Sequence, residues 1–136
     1  MRRSFPFLGI LTLLCLSISG QTFGQAPKIP KKTPELLSQG KKSYEQNCLP
    51  CHGPKGDGKG PAGAVLQPPP KDFTQPLNLW PVTKGAPQKI FEVISKGIPN
   101  TAMVKWDHLP ENERWGLTYF VMEFPAKAKM PPAKKK

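Results

Sequence analysis

The 136-residue chain is short of the residues that most often carry chemistry, with three cysteines, two histidines and nine carboxylates. It also lacks any convincing strand or internal repeat, so a thioredoxin-like thiol pair on a βαβ background is excluded. No apolar run is long enough to cross a bilayer as a helix. The longest, Phe5 to Ile18, has about 14 residues where roughly 20 are needed. Apolar residues make up 38% and prolines number 18, which implies a modest core, few helices and much irregular chain.

What is present begins with a layout of basic start, short apolar core and small residues. Arg2 and Arg3 precede Phe5–Ile18, and "SISGQTFGQA" follows. This is the pattern of a cleaved secretory signal, with the cut after Gly24 or Ala26. Leu14 stands where a lipoprotein signal needs a small residue before Cys15, so Cys15 is expected to leave with the leader. Taking residues 1–26 as the signal removes Arg2 and Arg3 and no acid. That reduces 20 basic and 9 acidic side chains to 18 and 9, a formal +9. Such a charge suits nucleic acid, an anionic surface or an acidic protein partner, and the export signal makes nucleic acid the least fitting. The remaining 110 residues suffice for one small domain. The expected division is a flexible basic segment at 27–32, a domain at 33–125, and a disordered Lys-rich tail at 126–136.

Within the domain, Thr33 as N-cap, Pro34 at the first helical position and Glu35 in the first turn predict a helix running toward Cys48. Leu36, Leu37, Gly40 and Tyr44 recur along one of its faces. A second helix is expected over Pro87–Lys96, with Gly97 as its stop. A third, apolar on most of its circumference, is expected from Pro110 to near Pro125. The stretch "GPKGDGKGPAGAVLQPPPKDFTQP" is too rich in Gly and Pro for helix or central strand. A structureless loop of that length in a small domain is the sign of a bound object that it wraps.

The chemical signal is "NCLPCHG", in which Cys48 and Cys51 are followed directly by His52. A structural zinc site needs four ligands, and only His108 is left as a good fourth. A haem attached through two thioethers, with the adjacent imidazole reaching the iron, uses every residue of the motif. The export signal strengthens that reading, because this attachment is completed outside the cytoplasm.

With "GKKSYEQNCLPCHG", "GDGKGPAG", "GIPNTAM" and "LPENERWGLTYF" in that order, the chain from about Thr33 to Phe124 resembles the small class I, monohaem c-type cytochromes. The resemblance implies an all-α fold of three to five short helices around one covalently bound haem c. In it the first and last helices cross closely, with Gly40 and Tyr119 at the crossing. It also implies that Cys48 and Cys51 tether the haem and that His52 and Met103 ligate the iron, Met103 lying 51 residues after His52 in the "GIPNTAM" loop. His108 is the alternative sixth ligand, Met122 belongs to the core and Met130 to the tail. Pro61 resembles the proline whose carbonyl accepts the second ring proton of the histidine. Trp80 and Trp106 are candidates to meet a haem propionate, or are ordinary packed tryptophans. Phe73 is expected over a haem edge or in the core.

The function expected is that of an electron carrier, periplasmic or otherwise exported, and not an enzyme. It would be a monomer, without stable membrane insertion once the signal is cut. Its lysines at 41, 42, 55, 59, 71, 84, 89, 96 and 105 would steer it to acidic faces of larger redox proteins. The alternatives are a haem c subunit of a stable oxidoreductase complex and a haem protein with an open sixth site.

Overall fold

A computed structural model describes residues 29–129, and the expected leader, residues 27–28 and the tail from 130 lie outside them. The described residues are helical and contain no strand. Helix α1 spans Pro34–Asn47 and starts as its sequence predicts, with the Thr33 hydroxyl accepting the Leu36 N–H at 3.2 Å. A single turn, α2, covers Leu49–His52. Helix α3 spans Pro87–Lys96 and stops at Gly97. The last two helices are α4, Glu111–Val121, and α5, Phe124–Ala128.

The single final helix expected up to Pro125 is therefore two. Proline lacks an N–H, and its ring would collide with the carbonyl four residues back, here that of Val121. The chain breaks at Met122 and Glu123, and Pro125 takes a first-turn position in α5, where its missing N–H costs nothing. Residues 126–128, expected to open the tail, are helical.

The most extensive helix contact is that of α1 with α4. At its centre an added Cβ on Gly40 would lie 2.0 Å from the carbonyl oxygen of Gly116. A Cβ on Gly116 would in turn lie 2.7 Å from the Leu36 carbonyl oxygen. Backbone meets backbone here, and only glycine on both sides permits it. The partner of Gly40 is thus Gly116; Tyr119 lies one turn further along α4, with its hydroxyl donating to the Pro30 carbonyl at 2.6 Å. Lys32 also pairs with Glu123. Residues 30–32, expected to be flexible, are in this way fastened to the end of the domain.

Helix α3 joins α4 through stacked Phe91 and Trp115 rings, 4.3 Å apart, and through Arg114, which donates to Ser95 Oγ at 2.6 Å and to the Leu109 carbonyl at 3.1 Å. Tyr44, Trp80, Ile90, Ile94, Leu117, Phe120, Val121 and Phe124 form the core. Between α2 and α3 the Gly- and Pro-rich chain has only two short 3-10 turns, Gly63–Val65 and Leu77–Leu79. That chain forms one wall of the cavity. No helix among the described residues is long and apolar enough to cross a membrane.

Candidate functional site

Beneath the helix crossing lies a cavity of about 290 Å³, close to the lower bound of roughly 300 Å³ for cofactor pockets. Its walls come from every part of the domain. Tyr44, Cys48, Cys51 and His52 line one side, the Pro68–Phe73 stretch wraps the next, and Ile90, Ile94 and Leu117 close the back. Met103 and Val104 come in from the loop after α3. The lining is overwhelmingly apolar, which suits a large apolar group and not a free ion.

The C-x-x-C-H motif is held by the turn that α2 makes off the end of α1. The Cys48 carbonyl accepts the Cys51 N–H at 3.2 Å and the His52 N–H at 2.9 Å, so all three residues share one helical turn. Below it, Tyr44 is buried and donates its hydroxyl to the Gly53 carbonyl at 2.7 Å. Burial, with a smaller contribution from neighbouring Cys51, pushes the Cys48 thiol up to about 12. Such a thiol carries almost no thiolate at neutral pH, the opposite of a thiol-exchange nucleophile. Among the described residues no group of three or more His, Cys, Asp or Glu side chains is arranged to hold a metal ion alone. His108, the fourth ligand that a zinc site would need, is exposed beside Trp106 and outside the cavity lining.

His52 lies 3.3 Å through Nδ1 from the carbonyl oxygen of Lys71. A carbonyl can only accept, so Nδ1 carries the proton and Nε2 keeps its lone pair for a metal. The acceptor expected from the sequence was Pro61. The path of the wrapping loop brings Lys71 to the ring instead, a matter of chain trace that spacing from the histidine does not encode. Burial lowers the affinity of His52 for a second proton, an effect the Lys71 bond partly offsets. Phe73 stacks on the imidazole with ring centres 4.5 Å apart and planes 19° from parallel.

Across the cavity, Met103 ends a loop with its own internal bonds. The Thr101 hydroxyl donates to the Ile98 carbonyl at 2.8 Å and accepts the Met103 N–H at 3.1 Å, and the Met103 carbonyl accepts the Ile98 N–H at 3.0 Å. Gly97 turns into this loop with φ +70°, and a Cβ there would lie 2.6 Å from the Met103 carbonyl oxygen. The structure thus brings Cys48, Cys51, His52 and Met103 to one cavity. Two thiols and an imidazole on one wall with a thioether from another are a donor set that fits a haem.

Residues 35–121 match the family model described as cytochrome c oxidase, cbb3-type, subunit III. The chain belongs to that family. Its domain is a c-type cytochrome of the class I kind, which carries haem c and serves electron transfer. A solved structure titled the reducing HAO-like protein complex Kustc0457/Kustc0458 of Kuenenia stuttgartiensis is similar at 32% identity and a TM-score of 0.58. The match covers 77% of this chain and 49% of that one, so the chain spans about half the length of this relative. No curated protein matches significantly.

Against the cytochrome fold, other expectations sort out. Trp80 is buried and gives its indole N–H to the Gln75 carbonyl at 2.9 Å, so that donor is committed within the protein and not free for a propionate. Trp106 is half-buried and lines the cavity. Met122 packs against the core, and Met130 lies outside the described residues. Sequence reasoning missed Gly116 and Lys71. Gly116 had a signal, since an interior helix glycine costs about 1 kcal/mol against alanine and calls for a packing reason.

Proposed function

We propose that this cytochrome is an exported monohaem electron carrier in which Cys48 and Cys51 hold the haem by thioether bonds and His52 and Met103 ligate its iron. The observation that carries the reading is that His52 and Met103, 51 residues apart, line the same apolar cavity while His108 lies outside its lining. When bound, the haem supplies the reversible one-electron change at iron. The chain supplies the rest. Its apolar walls exclude water, the Lys71 carbonyl keeps the proton on Nδ1 of His52, and the Met103 thioether favours the ferrous state and a raised potential. Residues 1–26 are the export leader, 33–125 the haem domain, and the site of action the periplasm.

Val82 and Val104 line the cavity and are both exposed, apolar side chains suited to brief contact with a redox partner. The lysines scattered through the domain favour an acidic partner, so rising ionic strength slows electron exchange with it. The test is an intact mass and an optical spectrum of the exported protein. A haem retained on denaturation, a methionine-to-iron charge-transfer band when oxidised, and no carbon monoxide binding when reduced support the carrier. A haem-free mass refutes it, and ready carbon monoxide binding refutes the Met103 ligand.

A second reading has its own support. The similar solved chain belongs to a complex described as reducing and HAO-like, which favours a haem c subunit held in a larger oxidoreductase. Copurification with a larger subunit through high salt distinguishes it from the free carrier.

A further inference from the structure

His52 is held from two sides by neighbours in sequence. Lys71 gives the carbonyl that meets Nδ1 at 3.3 Å, and Phe73 gives the ring that stacks on the imidazole at 4.5 Å. Between them in the sequence stands Asp72, whose hydrogen bonds run onward along the chain. Its Oδ1 accepts the Thr74 N–H at 2.8 Å and the Thr74 hydroxyl at 2.6 Å, and its Oδ2 accepts from Gln75 Nε2 at 3.1 Å. The Gln75 carbonyl in turn accepts the Trp80 indole at 2.9 Å, which ties the turn to the buried core. An Asp accepting from the backbone two residues on closes a turn by itself. Here the turn is tied to the core just beyond its last residue, and the carbonyl that meets the ring of His52 belongs to the residue just before it.

The Lys71–His52 contact is long for a hydrogen bond, beyond the usual 2.7–3.2 Å. Its strength is therefore sensitive to where the turn sets the carbonyl. Burial pushes the Asp72 carboxyl up, but the bonds from Thr74 and Gln75 and the nearby Lys71 charge outweigh this and hold it below its usual value. The turn is accordingly closed by an ionised group at neutral pH.

We propose that Asp72 is a positioning residue for His52. Through the turn it closes, it fixes the Lys71 carbonyl on Nδ1 and the Phe73 ring against the imidazole, and so sets the basicity and orientation of the iron ligand. The proposal rests on the haem reading above. A firm Nδ1–H bond makes the imidazole more electron-donating and favours ferric iron, so loosening it raises the reduction potential. Removing partners of this kind typically costs about 10- to 100-fold in metal affinity or activity.

The experiment measures the reduction potential of the haem-loaded wild type and of Asp72→Ala, Asp72→Asn and Thr74→Ala. Asp72→Asn loses the charge but keeps an oxygen for the Thr74 N–H. Thr74→Ala keeps the charge but loses the shortest bond in the turn. The expected result is a rise for Asp72→Ala of roughly tenfold in the ferrous-to-ferric ratio, about 59 mV for one electron. A smaller rise is expected for Asp72→Asn and a detectable rise in the same direction for Thr74→Ala. Equal shifts in both Asp72 variants with none in Thr74→Ala assign the effect to charge alone and overturn the proposal, as does no shift in any variant. If Asp72→Ala fails to fold, the Asp72→Asn and Thr74→Ala pair decides by the same signs. A wild type without a haem spectrum refutes the underlying haem reading and is distinct from both outcomes.

Discussion

Where α1 crosses α4, main chain rests on main chain, and the distance from Gly40 to Gly116 leaves no room for one added carbon. Around the cavity below, the loop walls are held by a few separate bonds: a carbonyl on His52, a hydroxyl under Met103, an aspartate closing a turn. The first region has nothing to adjust, because backbone atoms cannot change rotamer. The second is assembled from contacts that can each be weakened separately. Damage to the crossing should therefore appear as loss of the fold, and damage to the walls as a changed site in a protein that still folds.

The largest effect is expected at the crossing. Gly40→Ala sets a methyl 2.0 Å from the Gly116 carbonyl oxygen and should destabilise by about 3 kcal/mol or more, with little haem-loaded protein recovered. Near-normal thermal stability of that variant would break the comparison at its firmest point. Gly97→Ala tests whether the Met103 loop has a rigid contact of its own. Its φ of +70° and ψ of −169° belong to glycine, and the new Cβ would press on the Met103 carbonyl, so a loss of about 2–3 kcal/mol is expected in denaturant melts.

Met103→Ala sharpens the contrast. The half-buried side chain should cost about 2 kcal/mol, the lower end for a methionine truncated in a core, while the protein still folds. Its signature should be a lowered potential and carbon monoxide binding in the reduced protein. Tyr119→Phe removes the bond to the Pro30 carbonyl and should cost about 1 kcal/mol, with hydrogen exchange rising at residues 30–32 and not at the cavity.

The smallest effect is an acid one. Because the folded protein holds the Asp72 carboxyl below its unfolded value, its contribution is present above the unfolded pKa, near 3.8, and is lost as pH falls through the folded one. Melts in that range should show a shallower decline for Asp72→Asn than for the wild type.

How much of this was legible depended on the range of each signal. Thr33, Pro34, Pro87 and Gly97 set the bounds of α1 and the extent of α3, because caps and proline act within a turn of themselves. The sequence pattern marks Pro125 as an end, and in the fold it opens α5. Both follow from the same missing N–H, and only the packing of Phe124 into the core decides that a helix resumes. The basic segment looked unfastened because its anchors, Tyr119 and Glu123, are far along the chain. At the site, the need for a carbonyl on His52 was foreseeable from ligand chemistry. Its identity was not, since Pro61 and Lys71 lie in the same irregular loop and only the trace of that loop chooses between them.

By itself the sequence determined the start of α1, the extent of α3, the Cys48, Cys51 and His52 motif and the need for a bound object within the Gly- and Pro-rich loop, since each follows from sterics and chemistry among close neighbours. The tertiary structure alone decided that Gly40 bears on Gly116 and that Lys71 and not Pro61 meets the imidazole, and it brings to one cavity the Met103 and His52 that the resemblance pairs. These pairings join distant segments, and which atoms meet is set by how whole helices and loops pack, a property no short stretch of residues carries.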